Sequence, residues 1–593
     1  MDRFFERGLN RRTLIGASLG LSIAAGGAAR AIGAMQPVAP RPGSPAWPAP
    51  KQWEGLAKKV QGRLSLVRSP LVEARSRPGD PATAELFRNL RNPYFIGDNP
   101  ALTQTLGWTD GWTSQPSAYA VAATSAADVA AAVDFARRTG VRLVVKGGGH
   151  SYIGGSNAPD SLLVWTRQMD AIELHDAFVP VGAPAGAIPQ AAVSVGAGAM
   201  WGRTYDAVTT RGGRYVQGGG CMTVGVAGLV QGGGFGSFSK RYGTGAAGLI
   251  EAEIVTADGN IRIANAHRNA NLFWALKGGG GGTFGIVTRL TLRTHELPST
   301  FGAVMFDVSA KSDVAWRELV ARVVEFYRSS LFNPDWGEQI GFRGRRLVVR
   351  MLFSGLTSAQ AEEVWRPFLS GLRARSSDYA VSTPMIAAFP AQRMWDPDFL
   401  RTLPDVIRHD DRPGARPRDA FWAQNVDEAG WVIDGYHSTW LPTSLLGPGN
   451  SDRLVAALLE AAARSGVTLH FNKGIAGATP EVRAACADTA TNPRLLDAFA
   501  LAIVADGQGP AYPGIAGHEP DLAGGRKAAS AMKAAFAPLE AISGPPASYV
   551  SETDYFHPRW SEAFWGVNYP RLLAIKRRYD PGNMFRVHHG VGS

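Results

Sequence analysis

One histidine, His150, and one of the chain's two cysteines, Cys221, sit inside blocks of glycine. The first block, Gly147-Gly148-Gly149-His150-Ser151-Tyr152-Ile153-Gly154-Gly155-Ser156, follows the β-rich run Val141–Val145. The second, Gly218-Gly219-Gly220-Cys221-Met222-Thr223-Val224-Gly225, continues through Gly228 to Gly232-Gly233-Gly234-Phe235-Gly236 and the pair Tyr242-Gly243. A five-glycine run then leads into Thr283-Phe284-Gly285-Ile286-Val287-Thr288. Glycine in short blocks at strand ends lets backbone amides approach a ligand closely, and successive N–H groups form a concave anion site. A phosphate-bearing cofactor suits this pattern. The spacing is neither Gly-x-x-x-x-Gly-Lys-Ser/Thr nor a lone Gly-x-Gly-x-x-Gly opening a helix. No metal site is expected.

The blocks resemble the flavin-binding domain of the vanillyl-alcohol oxidase superfamily, with its PCMH-type FAD lobe, and within it the berberine bridge enzyme-like oxidases. The resemblance covers about residues 110–297 and returns in the last forty or so. It implies FAD bound twice: by His150 to the 8α-methyl group and by Cys221 to ring carbon 6. It also implies cofactor contacts from Gly147, Gly148, Gly149, Ser151, Gly154, Gly155, Ser156, Gly219, Gly220, Thr223, Val224, Gly225, Gly228, Gly233, Gly234, Tyr242, Gly243, Gly285, Ile286, Val287, Asn568, Tyr569 and Asn583. The residues alone leave other readings open. His150 could be a hydrogen-bonding histidine in a glycine turn, and Cys221 a small buried hydrophobe, the usual state of a free cysteine. Met222 stands where plant members carry proline.

Hydride removal from a carbon bearing OH or NH needs a group to take the departing proton. The stretch Tyr549-Val550-Ser551-Glu552-Thr553-Asp554-Tyr555 is similar to the family's Tyr-x-Asn-x-x-Asp run, with Ser551 replacing the asparagine. Tyr549, Tyr555 and Tyr569 are the first candidates, followed by Glu552, with Asp554 placed to orient a tyrosine; His588 and His589 come later in the same segment. In the family, bulk two residues before the cysteine hinders oxygen. Gly219 stands there and has no side chain, which points to an oxidase reducing O2 to H2O2.

The elements that must position these residues follow from local pattern. Ser125-Ala126-Ala127-Asp128 is a capping box opening a helix with Val129, Val133 and Ala136 on one face, and Gly140 is its stop. Ile250–Ile263 reads as a hairpin around Ala257-Asp258-Gly259-Asn260. Phe284, Ile286, Thr288, Leu290 and Leu292 alternate along a strand. Beyond Ser299, helical runs (Ser312–Ser330, Ser358–Ser376, Ser451–Ser465) alternate with strands such as Arg346–Phe353 and Val467–Phe471. The fold expected is α+β and two-lobed, a FAD lobe beside a substrate lobe whose antiparallel sheet is covered by helices. The expected boundaries are 110–297 for the FAD domain, 298–540 for the substrate domain, and 541–593 for a segment returning to the FAD lobe. Most of Trp336, Trp365, Trp395, Trp422, Trp431, Tyr436 and Trp440 are assigned to the core.

Residues 1–34 read as an export signal: Arg11-Arg12, a short apolar run from Leu14, and small residues ending at Gly33-Ala34. Paired arginines favour the twin-arginine route, which carries proteins already folded around a cofactor. The destination is then periplasmic or extracellular, with the export machinery as a partner. The apolar run is short of the ~20 residues a spanning helix needs, so no permanent anchor is expected. Residues 35–109 begin as a Pro-rich linker and continue as an N-terminal extension without a motif. Net charge is +11, but no run or stripe concentrates it, so nucleic acid is not an expected partner. Three functions remain: a bicovalent flavin oxidase acting on an alcohol or carbohydrate hydroxyl of a small molecule, a dehydrogenase of the same fold using a quinone or redox protein, or a flavin-binding protein without turnover.

Overall fold

In the computed structural model, residues 39–593 are described; the expected export signal lies outside them. The FAD lobe is built from two sheets. In the first, strands Leu64–Leu66, Tyr119–Ala122, Ser161–Trp165 and Arg142–Lys146 lie in that order, the last three parallel. The helix Ala126–Thr139 covers this sheet. Ser125 and Asp128 form the capping box at its start, and Gly140 ends it at φ +71°. Its face Val129, Ala132, Val133 and Ala136 is buried against Leu162, Val164 and Ile286.

The second sheet is antiparallel and has Ile286–Glu296 at its centre, between Leu249–Val255 and Gln190–Gly196. The hairpin Leu249–Val255 to Ile261–Asn265 closes around Asp258-Gly259, with Gly259 at φ +82° as its turn demands.

The substrate lobe carries a ten-stranded sheet covered by the helices Asp313–Phe326, Ser358–Arg373, Ser451–Arg464 and Leu522–Ser543. Trp316, Leu319, Val323, Trp365, Leu454 and Leu458 pack from these helices onto the sheet to make its core. One departure from expectation matters for the site. The N-terminal extension contributes to this sheet, because Thr105–Trp108 joins it together with Trp112–Thr113 from the start of the expected FAD domain. Thr105–Trp108 runs parallel to Trp431–Pro442, in a sheet otherwise antiparallel. The extension thereby brings Trp108, and Trp112 of the adjoining strand, beside the flavin loop, where the Trp112 indole N–H donates to the Tyr152 carbonyl. Among the described residues no helix is long and apolar enough to cross a membrane.

Candidate flavin and substrate site

The loop bearing His150 leaves the end of strand Arg142–Lys146, and Lys146 anchors it from beneath. The buried Lys146 ammonium donates to the carbonyls of Asn99, Pro100 and Leu102 at 2.8, 2.9 and 2.9 Å. Three acceptors thus meet its three N–H donors, although burial depresses its pKa to about 7. Above it, Gly148 lies back to back with Gly225. A Cβ on Gly148 would come within 2.6 Å of the Gly225 nitrogen, and one on Gly225 within 2.9 Å of the Gly148 nitrogen. Gly154, at φ +75°, lies under the Trp112 ring, where a Cβ would meet it at 2.9 Å. Ser151 Oγ accepts the Gly155 N–H at 2.9 Å, and Ser156 is buried. The loop therefore meets its neighbours through backbone.

This contact brings His150 and Cys221 to one hydroxyl. Thr223 Oγ1 lies 3.2 Å from His150 Nε2 and 3.5 Å from Cys221 Sγ. Burial pushes the His150 imidazole down to about 3, so it is neutral and nucleophilic near neutral pH. Burial raises the Cys221 thiol, against which the Thr223 hydroxyl bond acts. Beside this pair the surface is open: a Cβ on Gly220 or Gly228 would meet no atom within 4 Å. At Gly219 it is not open. A Cβ on Gly219 would meet Leu229 Cδ1 at 2.4 Å.

A cavity of about 190 Å³ continues from the loop, lined by Val145, Gly154, Gly155, Asn157, Gly282 and Ile286 and closed by Val587 and His588. Asn157 Nδ2 donates to the Ala101 carbonyl, while its Oδ1 is buried without a partner. An orphan acceptor in a glycine-walled cavity suits the amino and hydroxyl donors of a nucleotide. With the nucleophilic pair and the backbone cradle, the site fits FAD: Gly147–Gly149 and Gly154–Gly155 would hold the diphosphate side, and His150, Cys221 and Thr223 the ring.

The substrate lobe faces this pair with a polar, aromatic chamber. Tyr152 meets Trp431 edge-on at 5.6 Å and Tyr436 at 5.4 Å, and Tyr549 meets Phe235 at 5.0 Å. Trp422 ties the roof to the flavin loop by donating to the Gly220 carbonyl at 2.7 Å. Lys473 Nζ pairs with Glu552 Oε2 at 2.5 Å, their side chains 11% and 20% exposed. Glu338 accepts from the Ser237 hydroxyl at 2.5 Å and holds φ +70°, a strained conformation for glutamate in a strand. Burial foremost, then the chamber's carboxylates, raises Tyr152, Tyr436 and Tyr549, so these phenols stay protonated at neutral pH.

The sequence-based candidates divide. Tyr549 and Glu552 face the chamber. Asp554 does not orient a tyrosine; its Oδ2 lies 3.7 Å from His437 Nδ1, behind the strand that carries Tyr436. Tyr555 stacks on His588 at 3.8 Å and closes the nucleotide-sized cavity. Tyr569 stacks on Trp565 at 5.8 Å, and its hydroxyl accepts from the Gly592 N–H. Among the cofactor candidates, Ile286 lines the cavity, while Val287 belongs to the core and Gly285 is demanded by packing, a Cβ there meeting the Val255 carbonyl at 2.5 Å. Tyr242 packs on Tyr215 and His295, and Gly243 on Cys486. Asn568 donates to the Thr491 carbonyl and Asn583 to that of Gly592. Asn568 still bears on the site, because Thr491 packs against Gly233 and Gly278. Of the aromatic residues assigned to the core, Trp336, Trp365, Trp395, Trp431, Tyr436 and Trp440 are buried there, Trp431 and Tyr436 on the side that meets Tyr152, while Trp422 is half-buried and reaches the Gly220 carbonyl. Sequence reasoning missed Lys473 and Glu338, which no local motif marks; Tyr152 stands within the histidine block and carried a signal.

A glycine-cradled nucleotide site facing a helix-covered substrate sheet defines a two-lobed, FAD-dependent oxidoreductase. Residues 117–265 match the FAD binding domain family and residues 548–592 the family described as berberine and berberine like. An FAD-linked oxidoreductase (easE) of Arthroderma benhamiae is 30% identical over 485 residues, covering 80% of this chain and 89% of its own. The VAO-type flavoprotein oxidase VAO615 of Thermothelomyces thermophilus is 28% identical, with 93% and 92% covered. A solved VAO-type flavoprotein of Myceliophthora thermophila C1 superposes with TM-score 0.75 at 25% identity, over 94% of this chain and 97% of that one. The glucooligosaccharide oxidase of Acremonium strictum, described with a 6-S-cysteinyl, 8α-N1-histidyl FAD, has the same fold, with TM-score 0.58 at 19% identity and 80% and 91% covered. The chain belongs to the berberine bridge enzyme-like FAD-linked oxidoreductases of the vanillyl-alcohol oxidase superfamily.

Proposed function

We propose that this protein is an exported oxidase that holds FAD through both His150 and Cys221 and oxidises a C–OH or C–NH bond of a small molecule, reducing O2 to H2O2. The observation that carries the reading is the convergence of His150 and Cys221 on the Thr223 hydroxyl, beside a chamber with ionisable groups. Those groups speak against a flavin-binding protein without turnover. Bound FAD supplies the hydride acceptor and the centre at which oxygen is reduced. The chain's residues supply position and proton transfer. Trp431, Tyr436 and Tyr152 form a wall on which a ring substrate rests. Tyr549, protonated and beside Glu552, takes the substrate's hydroxyl proton as it gives its own toward the Glu552 carboxylate, whose charge Lys473 steadies. The glucooligosaccharide oxidase among the structural relatives supports an alcohol or carbohydrate donor. Export by the twin-arginine route, to the periplasm or beyond, rests on Arg11-Arg12 and the apolar run that follows.

Leu229 favours a second reading. It fills the space that Gly219 leaves, which would restrict oxygen and suit a dehydrogenase with a quinone or redox-protein acceptor. One experiment separates the two. After anaerobic reduction by a donor found in a screen of sugars, alcohols and amines, the holoenzyme is mixed with air-saturated buffer. Rapid reoxidation with one peroxide per flavin supports the oxidase. Slow reoxidation relieved by a quinone supports the dehydrogenase.

A further inference from the structure

Strand Trp431–Pro442 carries Tyr436, Ser438 and Trp440 on one face and His437, Thr439 and Leu441 on the other. Leu441 packs into the core beneath the helices, while Tyr436 and Trp440 join the cluster that holds Tyr549. Past Ile433, where Thr105–Trp108 stops pairing with it, the strand meets the C-terminal segment: the Trp440 backbone N–H donates to the Ala547 carbonyl at 3.2 Å. The Ser438 hydroxyl, on a residue 5% exposed, donates to the Glu552 carbonyl at 2.5 Å. Ser548 Oγ lies 2.8 Å from Ser438 Oγ and 3.0 Å from Thr553 Oγ1, so three buried hydroxyls share one network. Within it the chain turns back on itself, the Glu552 N–H donating to the Tyr549 carbonyl at 2.9 Å.

Two residues further along the same face, the Trp440 indole N–H donates to the Lys473 carbonyl at 2.7 Å. Ser438 and Trp440 therefore hold the backbones of the two residues whose side chains form the ion pair, Glu552 Oε2 and Lys473 Nζ at 2.5 Å. That pair joins positions 79 apart in sequence. Two long side chains lose rotamer freedom when they meet, and an ion pair outweighs that loss only where its geometry is fixed in advance. Alternate residues of a strand stand about 7 Å apart, which sets the spacing of the two anchors. Among the described residues Ser438 makes no hydrogen bond to Lys473, so any influence of one on the other runs through Glu552.

Resting on the role proposed above for Glu552 beside Tyr549, we infer that Ser438 and Trp440 are positioning residues for the Glu552–Lys473 pair. From the strand face that also carries Tyr436 of the substrate wall, Ser438 fixes Glu552 and Trp440 fixes Lys473, so wall, carboxylate and ammonium keep one register. Without the Ser438 hydroxyl the Glu552 turn is released, and its carboxylate, on a side chain already 20% exposed, moves toward water.

The test is a set of thermal melts of the full protein as isolated, followed by circular dichroism. The shift caused by Lys473→Met is measured in wild type, in Ser438→Ala and in Ser438→Thr, which keeps the hydroxyl. In wild type the substitution strands a carboxylate that is held in place. In Ser438→Ala the carboxylate is no longer held, so the shift should fall to about half or less, and Ser438→Thr should restore it. In the Glu552→Gln background the Lys473→Met shift should be the same with serine or alanine at position 438. Trp440→Phe, which keeps a ring and removes the N–H, should shrink the Glu552→Gln shift in the same way, and it decides the matter where Ser438→Ala does not fold. Equal Lys473→Met shifts in wild type and Ser438→Ala overturn the inference, as does Ser438→Thr behaving like Ser438→Ala. The proton-transfer reading fails separately, if Glu552→Gln leaves turnover of a donor found in the screen unchanged, while the melts still decide what holds the pair.

Discussion

Gly148 and Gly225 lie so close that a Cβ on the first would come within 2.6 Å of the nitrogen of the second. This backbone contact aligns the histidine block with the cysteine block, and no side chain can be interposed without parting them. Gly148→Ala and Gly225→Ala should each destabilise the FAD lobe by about 1–3 kcal/mol, the range of overpacking, and more where backbone cannot move. Both should be isolated with less flavin. Alanine at Gly228, where space is open within the chain, should leave thermal stability unchanged. Differential scanning calorimetry with flavin quantitation distinguishes the three.

The Lys473–Glu552 pair is largely buried, so removing one partner strands the other. Lys473→Met should cost about 3–5 kcal/mol, as for other broken buried pairs. Turnover should fall with it, because the carboxylate next to Tyr549 loses its cation. The combined Lys473→Met, Glu552→Leu variant should recover much of the stability and none of the activity. Steady-state kinetics beside denaturant melts reads both outcomes.

The roof is strapped to the FAD lobe by arginine–aspartate pairs. Arg203 bridges Asp419 of the roof and Asp170 at 2.7 and 2.8 Å, and Arg418 of the roof reaches Asp206 at 2.8 Å. Arg203→Ala strands Asp419 and leaves Asp170 with Arg416 alone, so residues 401–430 should become cleavable by protease and substrate KM should rise several-fold. Global melting should move less than these local readouts.

Acid should weaken the fold through histidines. Burial holds His150 to about 3, His295 to about 4 and His589 to about 3, all below the ordinary value near 6.5. Below pH ~6.5 the unfolded chain binds protons that these native imidazoles do not. Each therefore removes stability at about 1.4 kcal/mol per pH unit until its folded value is reached. Glu338, raised by burial, acts in the opposite sense as pH rises above the carboxylate range. The melting temperature should fall from pH 7 toward 5, and less steeply in His295→Phe.

Much of the fold was legible because it is local. The Ser125 capping box, the Gly140 stop and the Asp258-Gly259 turn each act within a few residues, and each lies where its pattern places it. The cofactor pair was legible because its glycine blocks are continuous in sequence. The chamber was not, since Lys473 meets Glu552 across 79 positions and Trp422 meets Gly220 across 202. Local pattern cannot report such pairings. The C-terminal segment shows the limit within a single run: Tyr549 and Glu552 face the chamber, while Asp554 and Tyr555 turn to His437 and His588. Gly219 makes the same point, for the space it leaves is taken by Leu229, which the glycine itself does not reveal.

The most direct test of the central claim is where the flavin goes when the protein is precipitated with acid. Two bonds, through His150 and Cys221, require yellow colour to stay with the pellet in wild type and in each of His150→Ala and Cys221→Ala. Colour should pass into the supernatant only in the double variant. Colour that washes out of the wild-type pellet would contradict the account.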